Sequence, residues 1–152
     1  MKNIDVNKLT RIALIGAVYA VVTIILAPLS YGMIQVRISE ALTVLPFIYP
    51  EAVIGLFIGC FIANIYGGNG IYDIIFGSLA TLIAGYLTAK TKNKYLAPLP
   101  PVVINALIIG FMLHKLFGFP LLTTMFYVGL GQTIACYGLG MPLLNYFLKK
   151  QK

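Results

Sequence analysis

Hydrophobic residues run through this chain in long blocks, and the charges fall between them. Uncharged stretches occupy residues 12–36, 52–72, 74–89, 95–114 and 116–148. Each meets or approaches the roughly 20 residues that an α-helix needs to cross a bilayer. Stretches such as LIGAVYAVVTIILA lack the alternation over about 10 residues that marks an outer-membrane β-strand. The apolar blocks also recur, whereas a secretory leader has one short apolar core followed by a soluble chain. The pattern predicts an all-α integral membrane protein.

The breaks between blocks set the element boundaries. A first span is expected from about Ile12 to Leu29, stopped by Pro28, with SYGMIQV as an extended connection after it. The segment SEALTVLPFIY, bounded by Pro46 and Pro50, is short for a span. Further spans are expected at about Glu51 to Tyr66, Tyr72 to Ala89 and Pro98 to His114, with a long final one running to Leu148. GGNG (67–70), KTKNK (90–94) and FGFP (117–120) separate them, and Lys149, Lys150 and Lys152 form a basic tail. If the short segment crosses, there are six spans, and nine of the eleven Lys and Arg fall on one side. The positive-inside rule makes that side cytoplasmic. If the segment is re-entrant, the count is five and the N-terminal cluster parts from the other two. Charge parity favours six transmembrane helices, both termini cytoplasmic, with residues 1–152 forming a single membrane domain.

Composition agrees with this reading. The chain has 152 residues, 60% hydrophobic and 10% charged, with mean hydropathy +0.93. Its net charge of +7 follows from the topology, so no nucleic-acid partner is expected. Cys60 and Cys136 stand alone in apolar surroundings with no CxxC spacing, and read as buried structural thiols. No metal site is expected. There is no GxxxxGK[ST], HExxH or GxSxG, and no carboxylate pair inside one span. The chain is therefore expected not to be an enzyme and to hydrolyse no ATP itself. An ion-driven carrier would show ionisable groups or broken helices near the midplane, and often an internal repeat. Neither is evident.

The six-span arrangement leaves Arg37, Glu40, Asp73 and Lys115 on the outer side. Arg37 and Glu40 lie at i, i+3, with Ser39 as a candidate N-cap. One reading is a capped helix start, its ion pair worth about 0.3–1 kcal/mol. The other is a ligand-accepting Glu40 oriented by Arg37, and both can hold together. Asp73 follows the Gly-rich turn containing Asn69, with Tyr72 beside it. It is either an acid at a helix start or part of a binding lid. An aromatic face and an acid together suit a flat, nitrogen-rich ligand. Asn64, Asn105 and Gln132 are polar residues within spans, so each either locks helices together or lines a pocket with Thr123 and Tyr127. Glu51 reads as a helix-start acid and His114 as a lone interfacial histidine. In RIALIGAVYA, Ala13 and Ala17 share one helix side, as do Gly16 and Ala20. Such a strip either packs internally or docks another subunit.

RIALIGAVYA, VRISEALTVLPF, the run from PEAVIGLFIGCFIANIYGGNG through FGSLATLIAGYLT, and MPLLNYFLKK resemble the S component of an energy-coupling factor (ECF) transporter of the QueT group, assigned to queuosine precursors. The resemblance spans essentially the whole chain. It implies an S-component-like bundle in the bacterial cytoplasmic membrane that captures 7-aminomethyl-7-deazaguanine or a close relative near the outer face. It implies docking through Ala13 and Ala17 to a transmembrane coupling subunit that carries two ATPase subunits. ATP is then used by those partners, and no cofactor is expected in this chain. The implied site draws on Glu40 and Asp73, which accept the guanine-like edge and the cationic arm in an order left open. Asn64, Asn105 or Gln132 reads the remaining polar edge, Tyr72 or Tyr127 stacks on the ring, and Arg37 and Asn69 complete the expected substrate-binding set. The alternatives are a solitary small-metabolite carrier, or an S component for a different vitamin-like solute.

Overall fold

The computed structural model describes residues 5–31, 36–67 and 70–151, and these residues are helical with no strand. The first helix, α1 (Val6–Ile25), opens on Asp5, whose side chain accepts from the Asn7 N–H at 3.1 Å. It stops at Ile25, three residues before Pro28. A proline there would lose the backbone bond to Ile24 and press its ring on that carbonyl. The chain instead restarts as a single turn, α2 (Ala27–Ser30), with Pro28 in its tolerant first positions. The extended connection expected at SYGMIQV falls mostly outside the described residues.

The short segment between the prolines is a 3-10 helix, Ile38–Phe47, with Pro46 inside it. Ten residues is long for this geometry, which seldom exceeds three or four. Surrounding packing holds it: Glu40, Ala41, Thr43, Val44, Leu45 and Pro46 are all buried. It touches α1, α3 (Ala52–Gly67), α4 (Ser78–Lys90) and the closing helices. The least conspicuous apolar segment in the sequence is thus the central element of the fold.

A π-helical turn, Asp73–Gly77, leads into α4. A short 3-10 turn, Lys94–Leu96, then precedes α5 (Leu99–Phe117). Gly118 ends α5 in the left-handed region at φ 71°, its N–H bonded to His114 O at 2.9 Å, the conformation a glycine takes most cheaply after a helix. The long final span expected from the sequence is divided. It runs as α6 (Leu121–Thr133), a π-helical segment Ile134–Gly140, and α7 (Met141–Lys150). By length and apolarity alone, Val6–Ile25 and Lys94–Phe117 reach the requirement for a membrane span.

Neighbouring helices pack in sequence order, α3 on α4, α4 on α5 and α5 on α6, while α1 lies along α3. At that last contact the backbones touch. A Cβ on Gly55 would sit 2.5 Å from Ile12 O, and one on Gly59 2.5 Å from Gly16 O, the close approach small residues permit between membrane helices. The expected strip on α1 therefore splits. Gly16 and Ala20 are buried, while Ala13 and Ala17 remain on the open side of the helix.

Contacts also sort the charges by end. Arg11 meets Glu51 at 2.8 Å and lies over the Tyr49 ring, which packs edge-on against Phe147 of α7. Lys94 donates to Asn145 of α7 at 3.4 Å. The start of α1, the loop before α5 and the last helix thus gather at one end. Tyr31, Arg37, Asp73 and the end of α3 gather at the other.

Candidate functional site

The distal half of the bundle encloses a network of buried polar and charged side chains. Its centre is Glu40, 1% exposed in the first turn of the 3-10 helix. One carboxylate oxygen, Oε1, accepts the hydroxyl of Tyr19, which is fully buried on α1. The backbone of Glu40 is pinned as well. Its carbonyl accepts from Thr43 Oγ1 at 2.6 Å and Cys136 Sγ at 3.5 Å, and its N–H bonds to Arg37 O at 3.0 Å. Ser39 does not cap the helix with its side chain as expected. Its hydroxyl lies 2.6 Å from that of Thr23, one turn after Tyr19 on α1.

Arg37 turns away from the partner that local spacing suggests. Its Nη2 meets Asp73 Oδ2 at 3.3 Å, its Nε donates to Ser30 O at 3.3 Å, and its guanidinium lies 5.2 Å from the Tyr31 ring centre. Tyr31 in turn donates to Ala63 O near the end of α3. Arg37 and Asp73 are 36 positions apart in sequence and bring the segment after α2 onto the π-helical turn. That turn is also held by Asn64 of α3, whose Nδ2 donates to Asp73 O at 3.0 Å. Cys60 sits between them, with Thr81 Oγ1 at 3.3 Å and Asn64 Nδ2 at 3.4 Å from its sulfur. Both cysteines are free thiols inside this network.

Several groups in the network have more capacity than the protein uses. Glu40 Oε2, Asn64 Oδ1, Ser30 Oγ and Ser78 Oγ are buried with no hydrogen-bond partner among the described residues. An unmet buried polar group costs about 1–3 kcal/mol, so several together mark a place built for more than holding helices. Charge points the same way. Arg37 faces Asp73, while Glu40, buried equally deeply, has a hydroxyl rather than a cation at its one bonded oxygen. With both acids ionised, the group carries one negative charge in excess. It can receive a cation that also donates N–H bonds.

The structure thus brings Arg37, Glu40, Asp73 and Asn64 together. It does not bring the other expected residues to them. Tyr72 is exposed, stacked on Phe76, and lines an open groove of about 740 Å³ between the π-helical turn, α4 and α5. That groove is apolar apart from the Tyr72 hydroxyl and Lys115 at its rim, so the chemistry lies with the buried network instead. Tyr127 is exposed and packs on Phe126, and Thr123 is exposed too. Asn105 closes on its own helix, donating to Pro101 O at 2.9 Å. Gln132 reaches the network through Cys136, whose Sγ lies 3.6 Å from its Oε1. Asn69 lies outside the described residues. Tyr19, Thr23, Ser30 and Ser78 are members the sequence reading missed. Each is a small or aromatic residue in an apolar run, distinguished only by what the fold puts beside it: Glu40 for Tyr19, Ser39 for Thr23, the Arg37 guanidinium for the Ser30 carbonyl, and burial of its hydroxyl for Ser78.

Comparison with known proteins places these observations. A family model described as QueT transporter matches residues 9–150. A protein of Lactococcus lactis subsp. cremoris named "Queuosine precursor transporter QueT" is 35% identical over 85 residues, covering 55% of this chain and 50% of that protein. The match thus spans about half the length of that curated relative. No solved structure matches the chain.

Proposed function

The chain belongs to the QueT transporter family, and from that premise we propose that it is the substrate-capture subunit of an ATP-driven ECF-type importer for a queuosine precursor. The relative's name supplies the solute class. The observation that carries the reading further is the excess acid at Glu40, whose Oε2 is buried without a hydrogen-bond partner among the described residues. A monocation with several N–H donors restores neutrality there and meets the open acceptors. 7-Aminomethyl-7-deazaguanine has both properties. In this reading its ammonium arm binds Glu40 Oε2, and its guanine-like edge meets Asn64 Oδ1 and Ser78 Oγ. Arg37 and Asp73 form the wall beside it, while Asn105, Tyr127 and Gln132 support the bundle. The nitrile precursor has no cation to offer and binds more weakly.

The bundle crosses the membrane six times with both termini cytoplasmic. A 3-10 helix rises about 2.0 Å per residue, so the central segment covers about 20 Å, against about 15 Å as an α-helix. Its flanks supply much of what remains of a hydrocarbon core about 30 Å thick. The meeting of Arg11, Tyr49, Phe147, Asn145 and Lys94 at one end supports this topology. Capture then takes place at the opposite, outer end.

The power comes from separate subunits, a transmembrane coupling protein and two ATPases. Ala13 and Ala17, on the open side of α1, are the docking positions. Gly16 and Ala20 act instead in packing α1 against its own chain. Mass spectrometry of small molecules released from the purified, detergent-solubilised chain tests the substrate. The expected mass is that of 7-aminomethyl-7-deazaguanine or queuine, and a different solute overturns the assignment. Ala17→Trp tests the docking: uptake by cells is lost while binding to the isolated chain persists. Uptake at the normal rate in that variant contradicts it.

A further inference from the structure

Tyr19 sits where one contact decides how Glu40 presents itself. The backbone of Glu40 is fixed from three directions, by Arg37 O, Thr43 Oγ1 and Cys136 Sγ. Its side-chain torsions are not fixed by those bonds. Among the described residues the hydrogen bond that restrains them comes from the Tyr19 hydroxyl to Oε1. Tyr19 is itself immobilised: it is fully buried in the cluster formed with Leu45, Leu56 and Cys60, and a Cβ on Gly59 would lie 3.0 Å from its own Cβ. One turn further along α1, the Thr23 hydroxyl pairs with Ser39. The inner side of α1 therefore grips the start of the 3-10 helix at two successive points.

We infer that Tyr19 is a positioning residue whose hydroxyl occupies Glu40 Oε1, directs Oε2 toward the ligand and so sets the preference for a cationic ligand over a neutral one of the same shape. The inference rests on the reading of Glu40 as the acid that receives the ligand's cation. An O–H donor on one oxygen favours the ionised carboxylate and holds its second oxygen in one direction. Without that donor no hydrogen bond from the described residues holds the carboxyl, and its charge is no longer aimed. A ligand that brings a cation loses most. A ligand that brings none loses little.

The test is calorimetric titration of the purified full-length chain with 7-aminomethyl-7-deazaguanine and with its 7-cyano counterpart. In the wild-type protein the amine binds more tightly. Tyr19→Phe, which removes one oxygen atom, should weaken the amine roughly tenfold to hundredfold, the factor for losing one hydrogen bond to a charged group. The nitrile should change less than about threefold on the same scale, so the ratio between the two ligands collapses. A purely structural role for Tyr19 lowers both affinities together and leaves the ratio unchanged, and that result overturns the inference. The double variant Tyr19→Phe with Glu40→Gln gives a second reading in a protein with no unpaired acid at position 40. It should match Glu40→Gln alone for both ligands, and a further loss of discrimination overturns the inference. If the wild-type chain does not distinguish amine from nitrile, the functional reading fails and takes this inference with it. Discrimination in the wild type that survives Tyr19→Phe sinks the inference alone.

Discussion

Among the described residues, two Arg–carboxylate pairs stand at opposite ends of the bundle, and they do different work. Arg11 and Glu51 approach to 2.8 Å with side chains 39% and 14% exposed, and the Arg11 N–H is not aligned as a hydrogen bond. Arg37 and Asp73 are slightly further apart, at 3.3 Å, but their side chains are 5% and 0% exposed. The first pair joins the starts of α1 and α3, with Arg11 lying over the Tyr49 ring. The second lies inside a network that contains a further acid, Glu40, and several unpartnered oxygens. Distance alone would rank the pairs the wrong way round. Burial and surplus charge separate an ion pair that trims a helix end from one that walls a binding site.

Removing one partner from each pair should widen that contrast. Asp73→Asn leaves the Arg37 charge buried without its acid, a loss of about 3–5 kcal/mol when a buried pair is broken. Thermal unfolding in detergent should show a large drop in midpoint, and an unchanged midpoint would place Arg37 in contact with water. Glu40→Gln works on the same network with the opposite sign. It removes charge the ligand-free protein does not balance, so the midpoint should hold or rise. A loss like that of Asp73→Asn would mean that Glu40 is a structural acid. Glu51→Gln should have the smallest effect, about 1 kcal/mol, because the Arg11 side chain it would leave is 39% exposed and keeps access to water. A loss of several kcal/mol there would dissolve the distinction between the two ends.

The helices were largely legible in the sequence because hydrocarbon tolerates no charge. Uncharged runs that mark where a chain can sit in lipid also mark α3, α4 and α5 to within about five residues, while α1 begins six residues before its run, at Val6, and ends at Ile25 well inside it. The interruptions were less legible. Nothing in SEALTVLPF separates a 3-10 helix from an α-helix, since packing on every side imposes that geometry. The final span reads as continuous, yet its middle is π-helical where it packs on the 3-10 segment: a Cβ on Gly140 would come within 2.9 Å of Val44 Cγ1.

The candidate site was legible in its acids and not in their partners. Charges are scarce enough that Arg37, Glu40 and Asp73 identify themselves. Local spacing pairs Arg37 with Glu40, but the guanidinium goes to Asp73, because a contact across 36 residues is set by how α3 and the π-helical turn fold back. Tyr19 illustrates the same limit, since a tyrosine in an apolar helix looks like packing until the carboxylate beside it is located. The strip on α1 was found by its period, but the period is the same for both of its alanine-containing rows. Only the approach of Gly55 and Gly59 tells which row is covered.

The central claim is that the uncompensated carboxylate at Glu40 receives a cationic deazaguanine, and titration of that ligand into wild-type and Glu40→Gln protein tests it most directly. Loss of a charge-assisted bond inside a desolvated site predicts an affinity weaker by about 1.5–3 kcal/mol in a variant that folds normally. Equal affinity in the two proteins would contradict the account.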